Sequence, residues 1–427
     1  MKNKPLRESH IMPSSHITII GAGIIGISTA AFLQRAGHKV TVIDRVPPGE
    51  GCSFGNAGGL AFAEVTPTIR PRILLKIPGW LLDPLGPLTI RWSYLPKALP
   101  WFLAAGRNAL PDRVRKITAA RAALGLRVVS DFETLLTAAG SIDLMVKKDS
   151  LRLYDTHAQY QAEESERAVK REHGYEMKKL SPGEIAEIEP DIARDFACGA
   201  FHGGWYYVRN PQKVVASIAE NVVRNGGEII QDDVLKVAQD GSRATALTLK
   251  SGGERPLDRL VICAGAYSNF FASAFGDKVL LEAERGYHLV IPAPGITLGR
   301  SLTYVATPMA MTPMDMGLRL AGTDEFAGLD APPNWKRADV LWPFAKRCLP
   351  KLREIDQTVS RWMGRRPGTP DGLPVIGPSR KLRNVWYGFG HSHMGLTWGP
   401  TTGRLLGEML SGAPSNTDLS AFRVDRF

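Results

Sequence analysis

Apolar and polar positions in this chain follow two rhythms, and the change from one to the other outlines the elements. "HITIIGAGIIGISTAAFLQRAGHKVTVIDR", beginning at His16, opens on a short apolar run. It passes a glycine turn, continues with helical spacing, stops at Gly37 and returns to a second apolar run. That pattern predicts strand, helix, strand: one βαβ unit. A glycine-rich loop, "GCSFGNAGGLAF", follows, then "RPRILLKIPGWLLDPLGPLTIRWSYLPKALPWFL", which proline interrupts too often for one helix. Helical spacing resumes from about Asp112 to Ala139, closed by Gly140. In "LSPGEIAEIEP", Ser181 and Glu184 form a capping box with Pro182 at the first helical position. "NPQKVVASIAENVVRNGGEII" predicts a helix ended by Gly226-Gly227 and a following strand, and "DRLVICAGAYS" a buried strand running into a glycine turn. Residues 282–323 divide into strands, "RGYHLVIP", "LTYVATPM" and "GLRLAGT", and the last hundred residues return to strand, glycine loop and helix. Internal repeats and low-complexity tracts do not occur.

Two element types alternating at both ends, with a strand-rich middle, predict an α/β protein of two domains. The boundaries expected are 16–70, 200–280 and 355–427 for a discontinuous Rossmann-type domain, and 71–199 with 281–354 for an α+β substrate domain on a mixed or antiparallel sheet. Residues 1–15 are expected to be a loose tail. A chain of 427 residues with 44% apolar residues can bury cores for both. Cys52, Cys198, Cys263 and Cys348 form no CxxC pair, which speaks against a disulfide framework or a zinc site and fits a reducing, cytoplasmic compartment. No apolar run approaches the roughly 18 residues of a spanning helix, and Met1–Ser15 lack the apolar stretch of a signal peptide.

Within the first unit Gly21, Gly23 and Gly26 satisfy GxGxxG: one makes the turn, one admits a pyrophosphate to the backbone, one lets the helix pack closely. With Ile24 and Ile25 they open a helix whose free N–H groups and dipole favour phosphate. Asp44, ending the second strand beside Arg45, is placed to accept from ribose hydroxyls. A nicotinamide enzyme would continue with further βα units, whereas this chain enters a glycine loop and a long excursion, which favours FAD. The other end agrees. "GFGHSHMGLTWGP" runs into "TTGRLLGEML", so Gly395, Leu396 and Thr397 present a second helix N-terminus, suited to the negative charge of a reduced flavin near N1 and the C2 carbonyl.

With both ends read, the chain resembles the D-amino acid oxidase/dehydrogenase superfamily of FAD enzymes. The carriers are "GAGIIGISTAAFLQRAGHKVTVIDR", "CSFGNAGGL", "VICAGAYS", "GTDEFAG", "GRRPGTPDGLPVIG" and "GHSHMGLTWGPTTGRLL". The likeness is nearest to its bacterial D-amino acid dehydrogenase branch and implies non-covalent FAD. It assigns Ser53, Asn56, Ala57, Gly58 and Gly59 to a loop along the isoalloxazine edge, Val234 to a backbone contact with adenine, and Ala264 and Gly265 to the pyrophosphate. His391, with Gly395, Leu396 and Thr397, falls to the flavin pyrimidine side, and Gly364 and Gly390 are further cofactor-binding candidates. Arg366 matches the arginine that related amine oxidoreductases use for the substrate carboxylate. Its neighbour Arg365 leaves the assignment open by one position, although strand alternation sends the two side chains to opposite faces.

Oxidation of an amino acid at Cα needs orientation rather than a protein nucleophile: the flavin takes the hydride, and a bidentate guanidinium fixes the carboxylate. No metal set is expected, and His391 and His393, alternating on a predicted strand, lack further ligands. Tyr287, His288, Tyr304 and Met311 are candidates to line the substrate side, with His288 open between a catalytic group and a core histidine. The expected substrate is a D-amino acid, with cyclic imino acids such as D-proline or hydroxy-D-proline as a sub-option. N-alkyl amino acids of the sarcosine or opine type, or a flavin subunit of a multi-chain dehydrogenase, are the alternatives.

Charge changes the picture in one segment. Eleven Lys and Arg stand against Asp83 and Asp112 between Arg70 and Ser130, much of the net +11 of the chain, and Trp80, Trp92, Tyr94, Trp101 and Phe102 interleave with them up to Arg107. Such a composition suits peripheral contact with an anionic membrane, for instance the cytoplasmic face of an inner membrane where a quinone would accept electrons. An acidic electron-transfer partner or a plain basic flap are the other readings. A nucleic-acid role is not expected, because no binding module is present.

Overall fold

The computed structural model describes residues 15–83 and 86–427, so the expected tail lies, apart from Ser15, outside the described residues. The predicted βαβ unit forms as His16–Ile20, Ile24–Arg35 and Lys39–Asp44. Ile17, Ile19, Val40 and Val42 are buried, as a parallel strand covered on both faces requires. These strands sit inside a six-stranded sheet in the order Glu228–Gln231, Lys39–Asp44, His16–Ile20, Arg259–Ile262, Val385–Phe389, Val375–Pro378. Its first five strands are parallel and the last is antiparallel. Beginning, middle and end of the chain thus build one sheet.

The last helix, Gly395–Ser411, lies directly on the first. A methyl group at Gly399 would come within 2.6 Å of Ile24, one at Gly403 within 2.6 Å of the Ser28 backbone, and one at Gly407 within 3.2 Å of Phe32. Equal steps of four residues on both partners mean that the helices run parallel, joined by a glycine stripe that removes the side-chain spacer between them.

A nine-stranded sheet forms the second body. Its order is Ser360–Gly368, Glu282–Ile291, Gly317–Phe326, Met309–Met314, Leu302–Tyr304, Ser150–Tyr154, Cys198–His202, Met177–Leu180, with Leu88–Ile90 paired alongside Gly317–Phe326. Most pairings are antiparallel, and two are parallel, so the sheet is mixed. One face packs on a core that includes Leu289, Ile291, Met311, Leu320 and Leu341. A small sheet of Gly59–Leu60, Tyr206–Val208 and Met145–Lys147 ties the glycine loop to the two long chain excursions.

The structure differs from the sequence expectation in three places. The helix expected from Asp112 to Ala139 is two, Pro111–Gly125 and Val128–Ala139, the second ended by Gly140 in the left-handed conformation. Gly125 explains the break locally: it lies against the Phe62 backbone, where a side chain would meet the carbonyl oxygen at 2.9 Å. Residues 355–427 do not fall wholly in the nucleotide-binding unit, because Ser360–Gly368 pairs along its length with Glu282–Ile291 in the other sheet. The strand carrying "YGF" ends at Phe389, so His391 and His393 lie not on one strand face but on the tight turn that follows.

Candidate functional site

Gly21 adopts φ +113° and its Cα faces the Cys263 carbonyl, while Gly26 faces the Gly21 carbonyl; no Cβ fits at either position. Asp44 accepts the Ala22 N–H at 2.7 Å and the Val46 N–H at 3.2 Å, which fixes the turn against the end of the second strand. Burial holds this carboxyl above the usual range. Arg45 turns aside and stacks on the Tyr267 ring at 3.8 Å. Val234 begins a strand just beyond Gln231, which pairs with Asp44, and Ala264-Gly265 follow the carbonyl that abuts Gly21. Nucleotide-side candidates therefore surround a single turn.

The flavin-side candidates gather at the neighbouring helix start. Ser53 Oγ accepts the Ile24 N–H at 3.0 Å, and Asn56 Oδ1 accepts the Gly58 N–H at 2.8 Å. Thr397 Oγ1 accepts the Ala61 N–H at 3.0 Å, joining the loop to the last helix. Neither helix start carries a capping side chain of its own, leaving first-turn N–H groups of Ile25, Gly26, Leu396 and Thr397 free of intrahelical acceptors. The two parallel dipoles add at this point. His391 Nε2 lies 2.9 Å from Thr402 Oγ1, its Nδ1 is buried without a partner among the described residues, and burial pushes the ring down to about 3, so it is neutral. A cradle that no Cβ could enter, paired helix starts and an orphaned ring nitrogen fit a dinucleotide with a ring system between the helices. FAD would be held by these residues and would supply the two-electron acceptor.

Above the loop stands one face of the large sheet. Glu284, Gly286 and His288 alternate along one strand, opposite Arg366, Gly364 and Trp362 on the next. Gly286 and Gly364 form a floor without side chains, over which the Arg366 guanidinium and the Trp362 indole respectively fold. His288 stacks on Trp362, centroids 5.0 Å apart, and its Nδ1 lies 3.1 Å from the Gly55 carbonyl. Burial, with Arg319 nearby, lowers it to about 3. The ring is therefore neutral, and since a carbonyl only accepts, the proton sits on Nδ1. Buried Arg319 donates to the Phe54 and Asn56 carbonyls at 2.9 and 2.7 Å, pinning the loop to the sheet. A cavity of about 470 Å³ opens at this end, between Phe54, His288, Arg319 and Trp362.

At the other end of the floor is a charged cluster. Arg366 pairs with Asp324, His393 Nε2 lies 3.3 Å from Asp324 Oδ1, and His393 Nδ1 lies 3.6 Å from Glu284 Oε2. Burial alone would raise Asp324, but His393 and Arg366 outweigh it and hold this carboxyl well below the usual range. Glu284 goes the other way, pushed up to about 7 by burial, with Asp324 and Glu282 reinforcing it against His393 and Arg366. Thr323 and Ser392, immediately before Asp324 and His393, both have positive φ, 58° and 47°. For a β-branched threonine this is strain of the kind that collects at functional positions.

Three predicted residues are elsewhere. Tyr287 points to the opposite face, where its hydroxyl donates to Glu325 and accepts the Asn334 N–H. Tyr304 bonds Asp155 at 2.7 Å in the core of the second sheet, and Met311 is buried in that core too. Strand alternation does separate the two arginines: Arg365 donates to the Leu329 carbonyl on the far side. Glu284, Asp324, Trp362 and Arg319 were not singled out from the sequence, and His393 was weighed only as a metal ligand. For Glu284 the signal was available, since it stands four residues before His288 on a strand and so shares its face.

Among solved structures the fold is similar to glycine oxidase from Geobacillus kaustophilus, with TM-score 0.74 at 20% identity over 96% of this chain and 98% of that one. The sequence is 36% identical over 417 residues to a D-amino-acid oxidase of Bradyrhizobium diazoefficiens, covering 96% of this chain and 99% of the relative. It is 29% identical to a D-amino acid dehydrogenase of Dechloromonas aromatica, over 93% and 97% of the two chains. Residues 16–409 match the family model DAO, FAD dependent oxidoreductase. The cradle at Gly21, the paired helix starts and this match over nearly the whole chain place the protein in the DAO family of FAD-dependent oxidoreductases.

Proposed function

We propose that this enzyme oxidises the Cα–N bond of D-amino acids, with hydride passing from Cα to FAD and the imine hydrolysing to a 2-oxo acid. The observation that carries the reading is the position of Arg366, whose guanidinium overhangs the glycine floor of the sheet face directed at the loop and the paired helix starts. A planar fork suits a carboxylate bidentately. Arg366 keeps part of that fork for Asp324, which holds it in place between substrates. The neighbouring His288 is neutral and packed against Trp362, so it shapes the pocket and carries no charge to the substrate. Similarity to a D-amino-acid oxidase and to D-amino acid dehydrogenases supports the D series.

The test is a panel on FAD-loaded protein: D- and L-amino acids, D-proline and hydroxy-D-proline, sarcosine and opines, each with a dye acceptor and with oxygen. Flavin bleaching by D-amino acids is expected. Bleaching by N-alkyl amino acids alone would replace this reading with oxidation on the other side of nitrogen, and no bleaching by any member would remove it.

We propose also that electrons leave at a membrane surface. Support comes from the segment before Arg107, where Leu75, Leu82, Trp92, Leu99 and Leu103 are exposed, Leu82 by 85% and Trp92 by 67%, among exposed Lys76, Arg91, Lys97 and Arg107. Trp101, by contrast, is buried and donates to the Gly368 carbonyl. Among the described residues no helix is long and apolar enough to cross a membrane, so the contact proposed is peripheral.

A further inference from the structure

An amino acid reaches the site with its nitrogen protonated, and hydride can leave Cα only once that nitrogen has a lone pair. Accepting the substrate class proposed above, one proton has to be removed inside the site. Glu284 stands directly opposite Arg366 in the antiparallel register, and such opposed residues share a face with their Cβ atoms about 5 Å apart. A guanidinium and a carboxyl side by side match the two ends of a zwitterion.

The Glu284 carboxyl is buried, with Oε1 lying over the Gly368 Cα and Oε2 accepting no hydrogen bond among the described residues. Facing it are His393 from the turn before the last helix, Asp324 and Arg366 from neighbouring strands, and Glu282 along its own strand. Glu282 is occupied, accepting from the Tyr94 hydroxyl at 2.8 Å. The route outward is graded: Glu284 is buried, and His393, 3.6 Å away, has 38% of its side chain exposed. We propose that Glu284 is the general base that takes the substrate ammonium proton and passes it through His393 to solvent while Arg366 holds the carboxylate.

In this step one N–H bond of the ammonium breaks and an O–H bond forms on Oε2, leaving a neutral amine. After hydride has left Cα, the Oε2 proton moves to Nδ1 of His393 and the Nε2 proton goes to water, which restores the carboxylate, and exchange with water returns the ring to its starting tautomer. Burial makes Glu284 a stronger base than an exposed glutamate, half ionised near pH 7, as a general base working at neutral pH requires. The left-handed Thr323 and Ser392 fix the two groups that flank this route.

The experiment follows flavin reduction in single-turnover mixing from pH 5.5 to 10 for wild type, Glu284→Gln and His393→Gln, all FAD-loaded. Beside it runs a spectral titration with benzoate, a carboxylate without an amine. Wild-type reduction should rise with pH through about 7. Glu284→Gln should lose that limb, fall about 10²- to 10³-fold at pH 7 and recover only as the substrate amine ionises by itself, with benzoate affinity within about threefold. His393→Gln should move the limb upward, because the imidazole that holds Glu284 down is gone. An unchanged pH profile in Glu284→Gln overturns the proposal; if that variant does not retain FAD, an unmoved limb in His393→Gln does so instead. Benzoate binding without reduction of wild type by any amino acid would overturn the substrate reading, and the base with it.

Discussion

Arg366 is more than a charge above the glycine floor: one side of its guanidinium pairs with Asp324, and the other is the side we propose for the substrate carboxylate. Arg366→Lys keeps the charge but not the fork. We expect KM for the D-amino acid to rise about 10- to 100-fold, the loss of one charge-assisted hydrogen bond worth about 1.5–3 kcal/mol, with FAD content unchanged. Arg365→Lys, on the far side of the strand, should leave KM where it is. Equal effects of the two substitutions in steady-state assays would contradict the assignment. Protons give a second residue-scale prediction. His288 and His391, lowered by burial from 6.5 to about 3, gain protons on unfolding across that interval, and His202, also lowered by burial, has the same sign. Glu284, raised from 4.5 to about 7, loses its proton on unfolding between those values and opposes them. Counting the first two histidines against Glu284, the unfolded chain binds about one proton more between pH 4.5 and 6.5. Stability should therefore drop by about 1.4 kcal/mol per unit as pH is lowered through this window. Asp324 and Glu64, held low by cationic partners, act below it. Urea unfolding at pH 6.5 and 5 measures the slope, and a flat or inverted one would refute it. At this scale the sequence disclosed what is local. Gly21 and Asp44 sit in a short motif whose chemistry follows from spacing, and Arg366 was reached only through the family likeness, whereas Glu284, Asp324 and His393 meet only through strand register and a strained turn separated by more than a hundred residues.

Elements were more legible than residues where a stop or cap was written into the chain. Ser181 forms its capping box with Glu184, and Gly140 ends its helix as a left-handed cap. The break between Gly125 and Val128 was not legible, because it answers to the Phe62 backbone far away in sequence. Assignment of Ser360–Gly368 to the wrong unit has a similar origin: the strand is followed without pause by nucleotide-domain strands, and its partner lies seventy residues earlier. The contact between the first and last helices makes an element-scale prediction. Gly403→Val would drive two methyl groups into the Ser28 backbone and cost about 1–3 kcal/mol of overpacking. Because the helix starts would part, FAD retention on gel filtration should fall with it. Gly412→Ala, at the other end and in the left-handed region, should cost about 1 kcal/mol and leave FAD bound. If Gly403→Val kept full flavin content, the paired starts would not be what holds the cofactor.

For the molecule as a whole, fold class was legible because alternating strand and helix at both ends with strands between admits few arrangements. Surface behaviour was legible only as composition. Sequence put five aromatics beside the basic residues, and the fold turns Trp101 inward while leaving Trp92 and a set of leucines outside. Exposed leucines beside cations lead to a measurable expectation. The protein should sediment with vesicles containing phosphatidylserine at low salt, release as salt screens the charge, and lose most binding when Leu82, Trp92 and Leu99 are changed together to serine, with flavin reduction intact. Absence of sedimentation with such vesicles would dispose of the contact. One further consequence belongs to the order in which the chain contributes its parts. The turn at Gly21 is made long before the helix beginning at Gly395, which lies against the same first helix, can leave the ribosome. A nascent chain that stops short of Gly395 lacks one of the two helix starts proposed to hold the flavin, and we expect it to stay colourless. Coloration would thereby report that synthesis has passed that helix.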